Sequence, residues 1–118
     1  ASKAICWALK KHHIQFDRVS SSGKGISYEE LCSMNLALYR LIVNTTFLGM
    51  FPQLNECPNL PFDQFGEQNF AYDLIYNPLE TIFLQKFKER GAKIKNGMEM
   101  LYTQADLSEA FWEQHMNR

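Results

Sequence analysis

Apolar and polar positions follow one another along this chain with two different periods, and the switches between them mark out its elements. From Ser2 to about Lys11, Ile5, Ala8 and Leu9 fall at helical spacing with Lys3, Lys10 and Lys11 on the other side, which predicts an amphipathic helix. Ile14-Gln15-Phe16-Asp17-Arg18-Val19 then alternates with the period of a half-covered strand, until Ser20-Ser21-Ser22-Gly23-Lys24-Gly25 breaks into a loop. Ser27 to Met34 reads as a short helix, with Ser27 as N-cap and Glu30 three residues on completing a capping-box pattern. Leu38 to Val43 is apolar and β-branched enough for a buried strand, which stops at Asn44-Thr45-Thr46.

Between Gly49 and Gln68 the prolines Pro52, Pro58 and Pro61 and two glycines forbid a long regular element, so the chain is expected to cross the surface there. Phe70 to Tyr76 is the next strand, closed by Asn77-Pro78. From Glu80 or Thr81 to Arg90 runs a helix with Phe83, Leu84 and Phe87 facing inward and Gly91 as its C′ residue. Ala92 to Lys95 is a short strand and Asn96-Gly97 a turn. A last helix runs from about Met98 to Glu113, with apolar stripes on more than one side.

Strands that alternate with helices of this length predict an α/β fold, a Rossmann-like parallel sheet with helices on both faces. One domain is all that 118 residues allow. With 46% apolar residues, 21% charged and a net charge of -1, the composition is that of a folded globular segment and lacks the basic field of a nucleic-acid binder. Cys6, Cys32 and Cys57 form no CxxC pair, so neither a disulfide framework nor a structural zinc site is indicated, and a reducing, cytoplasmic setting fits. No apolar run approaches the roughly 20 residues of a membrane helix, and the first residues lack the apolar core of a signal peptide, so neither a secreted nor a membrane-bound chain is indicated. His12 and His13 fall at a helix C-terminus, where the dipole favours cations, and with no third ligand in view no metal site is assigned. Cys57 has nothing nearby to lower its pKa and is no candidate nucleophile. No catalytic residue is assigned within the chain.

In an open parallel sheet, ligands bind beyond the carboxyl ends of the strands, where loops and helix N-termini converge. The residues there are Ser20-Ser21-Ser22, Asn44-Thr45-Thr46, Tyr76-Asn77 and Asn96-Gly97. Uncharged hydroxyls and amides at each end suit a ligand rich in phosphate and ribose oxygens, although loops are polar in any case. The helix at Ala1-Ser2-Lys3-Ala4 opens without the strand and Gly-rich turn that a dinucleotide-binding unit places before it. The expectation is therefore that these residues are a piece of a longer chain.

Three stretches carry a resemblance. They are Ile42-Val43-Asn44-Thr45-Thr46-Phe47-Leu48-Gly49-Met50, then Tyr72 to Thr81 (YDLIYNPLET), then Gly91-Ala92-Lys93 followed by Asn96-Gly97-Met98-Glu99-Met100-Leu101 with Gln104-Ala105. In order and spacing, from Ala1 to about Trp112, the chain resembles the shikimate dehydrogenase family. The resemblance implies the C-terminal NADP-binding domain of an enzyme that reversibly reduces 3-dehydroshikimate to shikimate in aromatic amino acid biosynthesis, with the last helix packing back toward a separate N-terminal substrate domain. It implies that the catalytic groups lie in that other domain, so the 118 residues alone would be inactive. It further implies cofactor contacts at Ala1, Ser20, Ser21, Ser22, Lys24, Asn44, Thr45, Leu74 and Gly97, and substrate contacts at Tyr76 and Gln104. The implied partners are shikimate and 3-dehydroshikimate, in a monomer or homodimer, with no nucleic acid and no membrane.

The chain departs from the family at one point. Where the family's phosphate loop carries Asn-Arg-Thr, this chain carries Ser20-Ser21-Ser22, and Ser21 cannot replace a planar cation. No acidic residue occupies Ser20, where it would bind the ribose hydroxyls of NAD and repel a phosphate, and Lys24 offers a positive charge in the same loop. NADP is expected ahead of NAD. The competing readings are a non-catalytic Rossmann-fold remnant or nucleotide-binding module, and a quinate dehydrogenase.

Overall fold

The computed structural model describes residues 2–21 and 23–98. They fold as α1 (Ser2–Lys11), α2 (Tyr28–Cys32), β1 (Leu41–Asn44), a 3-10 turn (Phe62–Gln64), β2 (Phe70–Asp73), α3 (Ile82–Glu89) and β3 (Lys93–Lys95). The three strands make one parallel sheet in the order β1-β2-β3, with Leu41 opposite Phe70, Asn44 opposite Asp73 and Tyr72 opposite Lys95. Parallel pairing brings all three carboxyl ends to one rim, as expected from the alternation of strands and helices.

Successive strand residues face opposite sides of the sheet, so Ile42, Ala71 and Ile94, aligned by the register, share one face. That face carries the core: Ala71 with Leu31 of α2, Leu36, Phe65, and Phe83, Leu84 and Phe87 of α3, against which Ile42 and Ile94 pack. Phe87 meets Phe62, Phe65 and Phe83 with ring centroids 5.4, 5.1 and 5.0 Å away. Phe62 and Phe83 approach edge-on, the favoured geometry for opposed ring quadrupoles. α3 begins where Thr81, in extended conformation, accepts a hydrogen bond from the Leu84 N–H, and α2 begins in the same way where Ser27 accepts from Glu30 N–H.

The Pro-rich stretch from 49 to 68 holds no longer element than the 3-10 turn, as its composition requires, and side chains pin it to the core. Gln64 bridges the Leu36 N–H and the Met34 carbonyl, while Arg90 donates to the carbonyls of Phe65 and Asp63. Asn69, buried just before β2, donates to the Tyr39 carbonyl and accepts from Gly66 N–H.

Two expectations are corrected. Residues 14–19 form no strand; their only ladder contact among the described residues is a single parallel bridge between Val19 and Ile26. Alternation supplies the right side chains, but a strand exists only through a partner's backbone, and no described strand lies beside this segment. The strand expected from Leu38 begins at Leu41 instead, because pairing with β2 begins there; Leu38 is 94% exposed. The expected helix beyond Met98 lies outside the described residues.

Candidate functional site

At the end of β1 the chain turns sharply on Asn44. Its Oδ1 accepts from both the N–H (3.0 Å) and the hydroxyl (2.7 Å) of Thr46, and the Thr46 hydroxyl accepts from the Leu48 N–H (3.2 Å). An Asn that bonds the backbone two residues on makes a side-chain-closed turn, which ends the strand with the Thr46 N–H satisfied. Asn44 Nδ2 donates across the sheet to Asp73 Oδ1 (3.2 Å) and, at 3.5 Å, to the Leu48 carbonyl.

Asp73 closes β2 in the same manner. Its Oδ1 also accepts from the Ile75 N–H (3.0 Å), and its Oδ2 accepts from the Thr81 hydroxyl (2.6 Å). The carboxyl is fully buried, and burial pushes its pKa above the usual carboxylate value while the bonds from Thr81, Ile75 and Asn44 pull it back down. The result is a continuous polar cluster from Thr46 through Asn44 and Asp73 to Thr81, the cap of α3, with no buried side-chain polar atom left unpaired among the described residues.

Beyond β2 and β3 the two chain segments touch. Gly97 donates its N–H to the Ile75 carbonyl, and a Cβ placed on Gly97 would overlap the Leu74 carbonyl, so only glycine permits this approach. Leu74 and Gly97, expected at the nicotinamide end, are thus brought into backbone contact. Tyr76 follows on the same rim, 42% exposed.

On the other side of β1 opens a cleft of about 600 Å³. Ile5, Cys6 and Leu9 of α1 line one wall, residues 14–21 another, and β1 with Thr45 and Thr46 the floor. Ser20, Ser21, Asn44 and Thr45 of the expected cofactor residues border it together. Lys24 does not; it is exposed on the 20–25 loop, whose neck is closed by bonds from Ser20 N–H to the Ile26 carbonyl and from Ile26 N–H to the Arg18 carbonyl. Two cations that the sequence reading passed over, Arg18 and Arg40, border the cleft instead. No local pattern marks either of them; the fold brings both to the cleft. Two other lining residues are joined by a hydrogen bond from the Tyr39 hydroxyl to Asp17 Oδ2, which raises the Tyr39 pKa. Ala1, Ser22 and Gln104 lie outside the described residues. Among those described, no group of His, Cys, Asp and Glu could hold a metal ion, and no helix is long and apolar enough to cross a membrane.

No protein-family model matches the chain. Relatives do. It is 40% identical to shikimate dehydrogenase (NADP(+)) of Methanococcus aeolicus over 127 residues, which cover 95% of this chain and 46% of that protein. To the protein of the same name from Caldanaerobacter subterraneus subsp. tengcongensis it is 33% identical, again over 95% of this chain and 46% of the relative. The chain thus spans just under half the length of these curated relatives. Among solved structures, a chorismate mutase/shikimate 5-dehydrogenase fusion protein from Clostridium acetobutylicum superimposes with a TM-score of 0.77 at 33% identity, covering 97% of this chain and 43% of that one. A shikimate dehydrogenase in complex with NADP+ gives a TM-score of 0.54 at 37% identity over 59% of this chain and 24% of its own. Shikimate 5-dehydrogenase from Listeria monocytogenes, in complex with shikimate and NAD, gives 0.57 at 27% identity over 64% and 26%. With near-complete coverage of this chain in both sequence and fold, and with the parallel sheet and glycine-tight rim described above, the chain belongs to the shikimate dehydrogenase family.

Proposed function

We propose that this chain is the cofactor-binding part of an NADP-dependent shikimate dehydrogenase, which reversibly reduces 3-dehydroshikimate to shikimate on the way to the aromatic amino acids. The observation that carries the reading is the common rim: the parallel register aligns Asn44 with Asp73, and just past the strand ends Thr45, Leu74 and Gly97 are presented together, on a chain whose relatives bear that activity in their names.

When bound, the nicotinamide supplies the hydride. This chain's residues hold and orient. The cleft beside β1 offers hydroxyls from Ser20, Ser21 and Thr45 to ribose and phosphate oxygens, and Arg18 and Arg40 supply the positive charge that Ser21 lacks. The close backbone approach of Leu74 and Gly97, which only glycine allows, sets the far end of the rim, where the nicotinamide is assigned. Tyr76, exposed beside it, and Gln104 are assigned to the substrate. Residues outside this chain carry the proton chemistry. Three unpaired cysteines suit a cytoplasmic enzyme.

The test is titration of the complete polypeptide with NADP and with NAD. NADP is expected to bind more tightly, and Arg18→Ala to weaken NADP by about tenfold, the scale of one charge-assisted contact, while leaving NAD unchanged. Tighter binding of NAD, or no binding of either, overturns the reading.

A further inference from the structure

We propose that Asn44 is a positioning residue, which together with Asp73 locks the turn after β1 to the turn after β2, so that one buried cluster sets both the cofactor side and the substrate side of the rim. The inference rests on the shikimate dehydrogenase reading above.

A side-chain amide has two donor hydrogens and two acceptor lone pairs. All four of Asn44 are used inside the protein: Oδ1 by the N–H and hydroxyl of Thr46, Nδ2 by Asp73 Oδ1 and the Leu48 carbonyl. The residue is 2% exposed. Its backbone carbonyl is also taken, by the Leu74 N–H. No side-chain donor or acceptor of Asn44 remains for a ligand, although the residue borders the cleft.

What the bonds do is hold two turns in register. Through Oδ1, Asn44 fixes Thr46 and hence the intervening Thr45, which faces the cofactor cleft. Through Nδ2 it holds the same Asp73 oxygen that accepts from Ile75 N–H, and Ile75 directly precedes Tyr76. Asp73 Oδ2, bonded to Thr81, ties both turns to the start of α3. Buried and fully paired, such a cluster allows one arrangement of both turns, so a change at Asn44 reaches ligands on both sides.

The experiment measures, in the complete polypeptide, dissociation constants for NADP and for shikimate separately, with the melting temperature alongside. Asn44→Ala is expected to weaken NADP by about tenfold and shikimate by about threefold, the scale of small misplacements of binding groups. Thr46→Val, which removes the hydroxyl that holds Oδ1, is expected to weaken both in the same proportion, and Thr46→Ser to restore both; this pair carries the test should Asn44→Ala fail to fold. Loss of NADP affinity alone would make Asn44 a cofactor contact and overturn the proposal. So would a lowered melting temperature with both constants unchanged. A wild-type protein that binds neither ligand overturns the functional reading itself, a result distinct from these, and the proposal with it.

Discussion

Helices α1 and α3 share a pattern and a manner of ending, yet α3 buries Phe83, Leu84 and Phe87 while no described side chain of α1 is buried. Both are amphipathic, both carry lysines in the last turn, and both stop in the same motif. In α3, Gly91 takes the left-handed conformation (φ +84°), donating to the Lys88 carbonyl while the next N–H, of Ala92, reaches back to Phe87. In α1, His13 does the same (φ 57°), donating to Lys10, and Ile14 reaches back to Leu9. What differs is the ground beneath. α3 lies on β2 and β3, whereas α1 borders the open cleft, with Trp7 64% exposed and its ring under the Lys11 ammonium. An apolar stripe is thus an offer of burial; a sheet face decides whether it is taken.

The largest effect should come from removing the ring at the centre of the packed side. Phe87→Ala deletes a side chain with no exposed surface and three ring neighbours, and is expected to cost about 3–5 kcal/mol in urea unfolding of the complete polypeptide. A cost under about 1 kcal/mol would mean that the two sides are packed alike.

Next comes the polar part of that side. Asp73→Asn keeps the acceptor for Ile75 and Asn44 but deprives the Thr81 hydroxyl of its acceptor, an expected cost of about 1 kcal/mol at pH 7. The sign of its pH dependence follows from burial. Because the folded carboxyl has a raised pKa, the native state holds its proton more tightly than the unfolded chain. The stability that this contributes is complete below the unfolded value of 3.8 and is lost as pH rises through the folded pKa. Unfolding curves of wild type and variant should therefore diverge as pH falls through that interval, in favour of wild type; parallel curves would count against a desolvated carboxyl.

The smallest effect is reserved for α1. A left-handed residue with a Cβ is disfavoured by about 1 kcal/mol relative to glycine, so His13→Gly should strengthen the end of α1 and slow amide exchange at His13 and Ile14. Since α1 is not packed on the sheet, the global unfolding midpoint should barely move. If it rises by the full amount, α1 belongs to the same cooperative unit as α3.

Much of this molecule was legible from local pattern. The bounds of α1, Ser27 as a cap and Gly91 as a helix stop depend on residues a few positions apart, whose propensities and spacing act whether or not the rest of the chain is in place, and the alternation of such elements announced the parallel sheet. The strand motifs around Asn44 and Tyr76 carried the family in the same way.

Tertiary structure alone decided three things. Residues 14–19 alternate like a strand, but among the described residues they meet another backbone in a ladder only at the Val19–Ile26 bridge. Arg18 and Arg40 border the cleft, while Lys24, exposed on the 20–25 loop, does not. Asp73, an isolated carboxylate in the sequence, meets Asn44 from 29 positions away and becomes the centre of the rim. Pattern fixes what a segment can offer to a partner, but pairing, burial and the saturation of a polar side chain are properties of two segments at once, and they exist only after the fold has brought both to the same place.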